Sequence, residues 1–387
     1  MKTKVLIIGA GPSGLLLSLL LKRKNIETII LEKQSPEYVA NRIRAGILEP
    51  GTVKLLKKAG ISNRVTKEGL KHNGFKVVYN KNIYDINLKN LANDHVTVYG
   101  QTEVTKDLMN KLTNENAKII YKVPKINILS IEDKPLVEFY YNKTKESIRA
   151  DFIVGCDGYH GISKNYIPNN IKRVFQRDYS FGWLGILSDT KPISDELIYI
   201  NNKTGFALCS MRSKKRSRYY IQCDINEKIS NWSDDKFWDS LSKALPKDIQ
   251  KNLQTGPSIE KSIAKLRSYV IEPMSYKKLF LAGDAAHIVP PTGAKGLNLA
   301  LSDVDKLSSA FINFYEKNSE LELVNYSNVC LSRVWKTQRF SSWMTSMFHN
   351  MPKEDSFLKK LKQVEMENLL SSIHAKKILA SNYLGKY

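Results

Sequence analysis

The chain of 387 residues is 42% apolar, 25% charged and 10% aromatic, a balance that supports a large buried core and argues against disorder. Its formal charge of +22 would suit a nucleic-acid or membrane-surface protein, but residues 1–100 and 201–300 each carry 17 Lys and Arg, so the basicity is spread out and reads as a solvated surface. No apolar stretch reaches the ~20 residues of a membrane span, the start lacks a signal-peptide pattern, and four dispersed cysteines suggest neither disulfides nor a metal site, so a cytoplasmic protein is expected.

Lys4–Ile8 reads as a buried parallel strand that runs directly into Gly9-Ala10-Gly11-Pro12-Ser13-Gly14, a G-x-G-x-x-G turn, and a helical apolar run opens at Leu15. Gly9 permits the tight turn, Gly11 lets a pyrophosphate approach the backbone, and Gly14 lets helix and strand pack closely. The helix start, with Ser13 in its first turn, adds unpaired N–H groups and a positive dipole end. A second strand, Thr28–Leu31, ends in Glu32, 18 residues beyond Gly14, where a carboxylate can accept both hydroxyls of an adenosine ribose. Together these make a Rossmann-type dinucleotide site and leave FAD and NAD(P) equally open.

Residues 151–158 read as a strand that delivers Asp157 and Gly158 into a turn. The stretch Gly205–Tyr220 reads as two strands around Ser213-Lys214-Lys215. Period two puts Ser210 and Arg212 on one face of the first, and Arg216, Arg218 and Tyr220 on one face of the second. By residue type alone this is a basic surface hairpin. Leu279-Phe280-Leu281-Ala282-Gly283-Asp284 is another strand ending in an acid, followed by a glycine-bearing segment, Gly293 to Gly296. An Asp after such a strand can bond a polyol, and a nicotinamide cofactor has no ribityl chain to hold, so these later motifs favour FAD. The run Leu358 to Leu379 has apolar residues at mixed three and four spacing, the pattern of a packing face.

The three fingerprints in this order resemble those of the group A flavoprotein aromatic hydroxylases. Longer stretches carry the likeness to the 4-hydroxybenzoate-hydroxylating branch of that family over nearly the whole chain: Arg42 to Gly46, Val98 to Thr105, Gly155 to Gly158, Phe181 to Gly185, Gly205 to Ser210, and Ala282 to Leu299. The resemblance implies an α/β fold. A Rossmann-type FAD-binding domain would comprise residues 1–72, 96–178 and 267–330, an inserted β-sheet substrate domain 73–95 and 179–266, and a C-terminal helical region 331–387, which in the family contributes to a homodimer. It further implies that Glu32, Arg42, Arg44, Gln101, Asp157, Arg218 and Asp284 bind FAD, with Gly9, Gly11, Ser13 and Gly14 at its pyrophosphate and Lys295, Gly296, Leu297 and Asn298 near its ring. Ser210, Arg212 and Tyr220 would surround a substrate carboxylate, and Tyr199, Pro291, Thr292 and Tyr383 its phenol. Lys33, Tyr38, Arg42, Arg44, His160, Lys164 and Arg267 would meet the nicotinamide cofactor. Lysine at 33 and 164 replaces the family's arginine, keeping the charge without the planar fork, so NADPH is expected and NADH stays open.

The implied activity is hydroxylation of 4-hydroxybenzoate at its 3 position, giving 3,4-dihydroxybenzoate, with NAD(P)H and O2. Electrophilic oxygen transfer needs an electron-rich ring, so Tyr199, paired with Tyr383, would favour the phenolate and relay its proton towards His72, whose pKa should lie near neutrality. Arg212 would grip the carboxylate bidentately, and Arg218 would take part in a motion of the flavin between reduction and oxygen chemistry. Without the resemblance, His72 reads as a surface residue in a lysine-rich loop and Tyr383 as a fraying tail. The residues alone also admit a flavin or nicotinamide oxidoreductase without oxygen insertion, and a basic nucleic-acid binder on a Rossmann scaffold. The expected partners are a small aromatic acid, O2 and NAD(P)H, rather than nucleic acid or membrane.

Overall fold

The structure, a computed structural model, describes residues 1–42, 46–202, 205–352 and 354–387. Among them, the apolar runs form the centre of an eight-stranded sheet. Its main path orders the strands Ser275–Tyr276, Leu279–Leu281, Thr144–Gly155, Lys2–Ile8, Thr28–Leu31 and Lys118–Ile120. The four central pairings are parallel. Strands of this kind are covered on both faces, which is why they read as unbroken Val, Leu and Ile. The helix Pro12–Lys22 is buried from Ser13 to Leu21 and packs against the helices Gly296–Lys317 and Gln101–Asn114.

A second eight-stranded sheet, mostly antiparallel, orders His287–Ile288, Ser258–Glu272, Arg173–Ser188, Arg216–Asp224, Gly205–Ser213, Leu197–Asn202, Gly74–Tyr79 and Asn82–Asn87. The expected hairpin around Lys214-Lys215 is present in it. One face of this sheet, including Ile186, Ile198, Cys209, Tyr219 and Ile221, packs on Phe237, Trp238 and Leu241 of the helix Asp234–Ala244. The opposite face, including Trp183, Tyr199, Phe206 and Leu208, meets Phe340, Met344 and Phe348 of the long helix Leu321–Phe348 and Leu379 and Tyr383 of the last helix. A small three-stranded sheet, Ile47–Leu48 with Val96–Val98 and Leu70–His72, completes the strands.

The expected domain boundaries at 178/179 and 266/267 fall within the continuous strands Arg173–Ser188 and Ser258–Glu272, where pairing slips between Asp178 and Gly182. Such a bulge bends a strand and lets it serve two layers. The apolar run Leu358 to Leu379 is broken into the helices Ser356–Ser371 and Ile373–Tyr383, because Ser372 leaves the helical conformation and its hydroxyl caps the second helix by accepting from the Ala375 N–H. Among the described residues no helix is long and apolar enough to cross a membrane.

Candidate active site

Leu31, Ile8, Gly155 and Leu281 stand in one row across the parallel strands. The residues that follow them, Glu32, Gly9, Cys156-Asp157 and Ala282 to Asp284, therefore emerge together at the carboxyl ends, where open α/β sheets bind ligands. Gly9 has φ +106°, and a Cβ there would lie 2.4 Å from the Cys156 carbonyl oxygen, so only glycine lets the first and second motifs touch. A Cβ on Gly283, φ +64°, would lie 2.9 Å from Ser13 Oγ, which seats the third motif against the first. At Gly11 and Gly296, beside the starts of two helices, the Cβ position faces open space.

The acids at this edge have different surroundings. Glu32 accepts the N–H of Ala10 at 2.6 Å and of Gln34 at 2.8 Å. Asp157 Oδ2 accepts the N–H and hydroxyl of Ser163, both at 2.9 Å, while the buried Oδ1 has no partner among the described residues. Burial raises its pKa, opposed by the Ser163 donors. Asp284 is exposed on its turn. Beneath that turn, Asp303 accepts the Gly283 N–H at 3.0 Å and pairs with His287 at 2.6 Å, both side chains 2% exposed. The Thr102 hydroxyl donates to the Arg42 carbonyl at 2.9 Å, bringing Arg42 beside Gln101; Arg44 lies outside the described residues. An orphan buried acceptor, two bare helix starts and acids at the strand ends fit FAD. When bound there, it would be held by Glu32, Gln101, Asp157 and Asp284 with the Gly9 to Gly14 turn.

Lys295 and Asn298, expected near the ring of that cofactor, have their side chains engaged by protein groups. The buried Lys295 ammonium donates to Glu49 Oε1 at 2.7 Å and to the Tyr383 carbonyl at 2.6 Å, and Glu49 also takes Arg333 at 3.0 Å. A buried cation needs such a partner; burial lowers the Lys295 pKa and Glu49 opposes the shift. Asn298 accepts the Glu49 N–H and the Thr52 hydroxyl and donates to the carbonyls of Ile47 and Ala294, at 2.8–3.0 Å. What this helix start presents outward is Gly296, exposed, and Leu297, half-buried.

The second sheet carries the other expected residues. Tyr199, Leu208, Tyr220 and Gly185 are in register across four strands, so the Tyr199 and Tyr220 backbones stand roughly 10 Å apart at ordinary strand spacing. A Cβ on Gly185 would lie 2.6 Å from the Tyr220 ring, which explains glycine there. Ser210 pairs with Arg218 in the next row. Arg218 is committed to Glu260 at 2.7 Å and Ser262 at 2.8 Å. Arg212 follows Ser210 and stands beside the Tyr220 phenol, yet among the described residues no carboxylate lies within 4.0 Å of it. Burial lowers its pKa and Tyr220 opposes that.

At the other end of the row, the Tyr199 hydroxyl lies 3.0 Å from the Thr292 carbonyl and 3.0 Å from the Tyr383 hydroxyl. Burial raises both phenols, Tyr199 well above its ordinary value and Tyr383 to about 12. Tyr383 is 1% exposed, so it is no fraying tail. Pro291 is exposed beside Thr292. His72 departs most from expectation: it sits in a strand, 2% exposed, both ring nitrogens without hydrogen-bond partners, and burial lowers its pKa to about 4. It is a neutral buried imidazole, and among the described residues no hydrogen bond joins it to Tyr383.

Of the nicotinamide positions, Lys164 and Arg267 place cations over the Tyr159 ring at 4.2 and 4.4 Å, next to exposed His160. Lys33, Tyr38 and Arg42 are exposed on the separate stretch after Thr28–Leu31. Sequence reasoning missed Glu49, a lone acid before Pro50 with no motif around it, and Tyr159, whose only signal was its place after Gly158.

The chain matches the family model described as "FAD binding domain" over residues 2–341. It is 51% identical over 386 residues to p-hydroxybenzoate hydroxylase of Acinetobacter baylyi, spanning 100% of this chain and 96% of that one. It is 25% identical over 348 residues to kynurenine 3-monooxygenase of Dictyostelium discoideum, covering 79% and 69% of the two chains. Among solved structures, p-nitrophenol 4-monooxygenase PnpA from Pseudomonas putida DLL-E4 shares the fold at a TM-score of 0.85 and 17% identity, covering 100% of this chain and 98% of that one.

Proposed function

The chain belongs to the FAD binding domain family and is an FAD-dependent aromatic hydroxylase, and we propose that it converts 4-hydroxybenzoate to 3,4-dihydroxybenzoate with NADPH and O2. The observation that carries the substrate reading is the pairing of a half-buried Arg212, with no carboxylate within 4.0 Å among the described residues, with the Tyr199–Tyr383 pair on one face of one sheet. A benzoate carboxylate would complete the Arg212 fork, with Ser210 and Tyr220 adding hydroxyl donors. The 51% identical relative is a p-hydroxybenzoate hydroxylase, which supports the same ring substituents.

When bound, FAD supplies electron transfer from the nicotinamide and activation of O2. The protein's share is to orient the ring, to favour its phenolate and to keep water out. Tyr199 has one proton and two neighbours. The Thr292 carbonyl is an acceptor only, so when Tyr199 donates to it, Tyr383 must donate to Tyr199. Turning the Tyr199 proton from Thr292 to a ligand phenolate stabilises that anion, and an anionic oxygen enriches the ring carbon beside it. His72, held neutral, accepts a relayed proton only if ligand binding joins it to the pair. Lys164 and Arg267 over the Tyr159 ring, the latter shared with Asp178 at 2.7 Å, offer positive charge for a 2′-phosphate, which supports NADPH over NADH.

The test is a panel of 4-hydroxybenzoate, 4-aminobenzoate and benzoate, scored for NADPH and NADH consumption and for aromatic product. 4-Hydroxybenzoate should yield the catechol, and no response to it would refute the reading. Tyr199→Phe should keep cofactor oxidation but divert most of it to hydrogen peroxide; coupled hydroxylation at the parent rate would overturn the phenolate role.

A further inference from the structure

We propose that His349 is a positioning residue that ties the carboxylate end of the aromatic-acid pocket to its phenol end; this rests on the pocket reading above. His349 follows the long helix Leu321–Phe348, is 2% exposed, and is stacked among Phe181, Phe206 and Trp183 with ring centroids at 4.6, 4.2 and 5.7 Å. Nothing in the reaction uses it directly. Its two nitrogens nevertheless reach in two directions. Nε2 accepts the Trp183 indole N–H at 2.6 Å, and Trp183 packs against the Tyr220 ring at 5.1 Å. Nδ1 lies 2.8 Å from the Thr345 carbonyl.

Thr345 carries the connection onward. Its hydroxyl donates to the Ser341 carbonyl at 2.7 Å, so in the 2.8 Å contact with Thr292 Oγ1 the Thr292 hydroxyl is the donor. Thr292 in turn presents its carbonyl to Tyr199 at 3.0 Å. A continuous path thus runs from the half-buried Tyr220 through buried Trp183, His349, Thr345 and Thr292 to Tyr199. The geometry also sets the tautomer: an indole N–H is only a donor, so Nε2 must be bare and the proton must sit on Nδ1, where it meets the carbonyl. A protonated ring would set Nε2–H against the indole N–H, and burial lowers the pKa of His349 to about 3, so the arrangement holds at working pH. A fixed imidazole between two fixed neighbours holds Trp183 and Thr345, and through them the two groups that read opposite ends of one small ring, at a set separation.

Pole-to-pole spacing matters only to a ligand that touches both poles, and this gives the test. Dissociation constants of 4-hydroxybenzoate, benzoate and 4-methylphenol are measured on the FAD-loaded parent, His349→Leu, His349→Gln and Trp183→Phe, with unfolding temperature as a check on folding. The preference for 4-hydroxybenzoate over benzoate should fall by roughly tenfold in His349→Leu and Trp183→Phe, the size of one buried hydrogen bond. Each one-pole ligand should stay within about twofold of its parent value, as expected of uncoupled groups. His349→Gln, which keeps an acceptor and a donor, should recover part of the preference. An unchanged preference in the variants, or an equal loss for all three ligands, would overturn the proposal. If His349→Leu does not fold, Trp183→Phe decides alone. A parent that does not prefer 4-hydroxybenzoate to benzoate would instead sink the aromatic-acid reading, and this inference with it.

Discussion

Arg212 and His72 show how burial acts on a single side chain with and without company. Arg212 keeps its charge next to a phenol and waits for a carboxylate, so Arg212→Ala should weaken 4-hydroxybenzoate by roughly 10- to 100-fold, the worth of a charge-assisted hydrogen bond. Arg212→Lys should fall between, since it restores charge without the fork; titration of the ligand into the FAD-loaded protein measures both, and equal affinity in all three would discard the role. His72 takes the opposite course and gives up its charge. Below its ordinary pKa of 6.5 the unfolded chain binds a proton that the folded state refuses down to about 4, so stability is present at neutral pH and lost on acidification. The loss amounts to about 1.4 kcal/mol per unit across that window. His349 adds to the slope in the same sense. His287 runs the other way: burial would lower it, but Asp303 outweighs that and raises it, so its contribution is complete below pH 6.5 and fades as pH rises. Urea unfolding between pH 7 and 5 should therefore show a shallower pH dependence in His72→Phe than in the parent; an identical slope would contradict the burial argument.

Among elements, the helix Gly296–Lys317 links distant parts of the chain. Its first turn is anchored by Asn298 to Ile47, Glu49 and Thr52, and Glu49 then gathers Lys295 and Arg333. Asn298→Ala leaves two donors and one distant carbonyl unpaired in a buried site, and should cost about 2–4 kcal/mol in thermal or denaturant unfolding. A loss within experimental error would mean that water replaces the amide. The glycine turn, the hairpin and the strand-ending acids are legible in the order of residues alone, because each rests on neighbours within a few positions. The break at Ser372 is not: the apolar spacing runs through it, and only the backbone turn at that position divides the two helices.

Over the whole molecule, the last two helices leave Phe357, Leu361, Ile373 and Ile378 at least half exposed, while Met366, Leu369, Leu370 and Leu379 are buried beneath them. The homodimer expected from the family resemblance would cover these side chains. Phe357→Glu with Leu361→Lys should turn a dimer into a monomer in sedimentation while leaving the unfolding temperature of the monomer close to the parent's; a parent that sediments as a monomer would refute it. Composition, periodicity and glycine placement are enough to announce a dinucleotide-binding α/β protein, since strands, turns and helix starts are set by short-range sterics and burial pattern. Arg212 and Tyr199 become legible only through likeness to a family. Tyr199 and Tyr383 are 184 positions apart, Trp183 and His349 166, and Lys295 and Glu49 246. No spacing rule links residues so distant: packing of two sheets and the closing helices alone sets which of them share a buried hydrogen bond, and so which phenol, imidazole or ammonium is charged, neutral or poised.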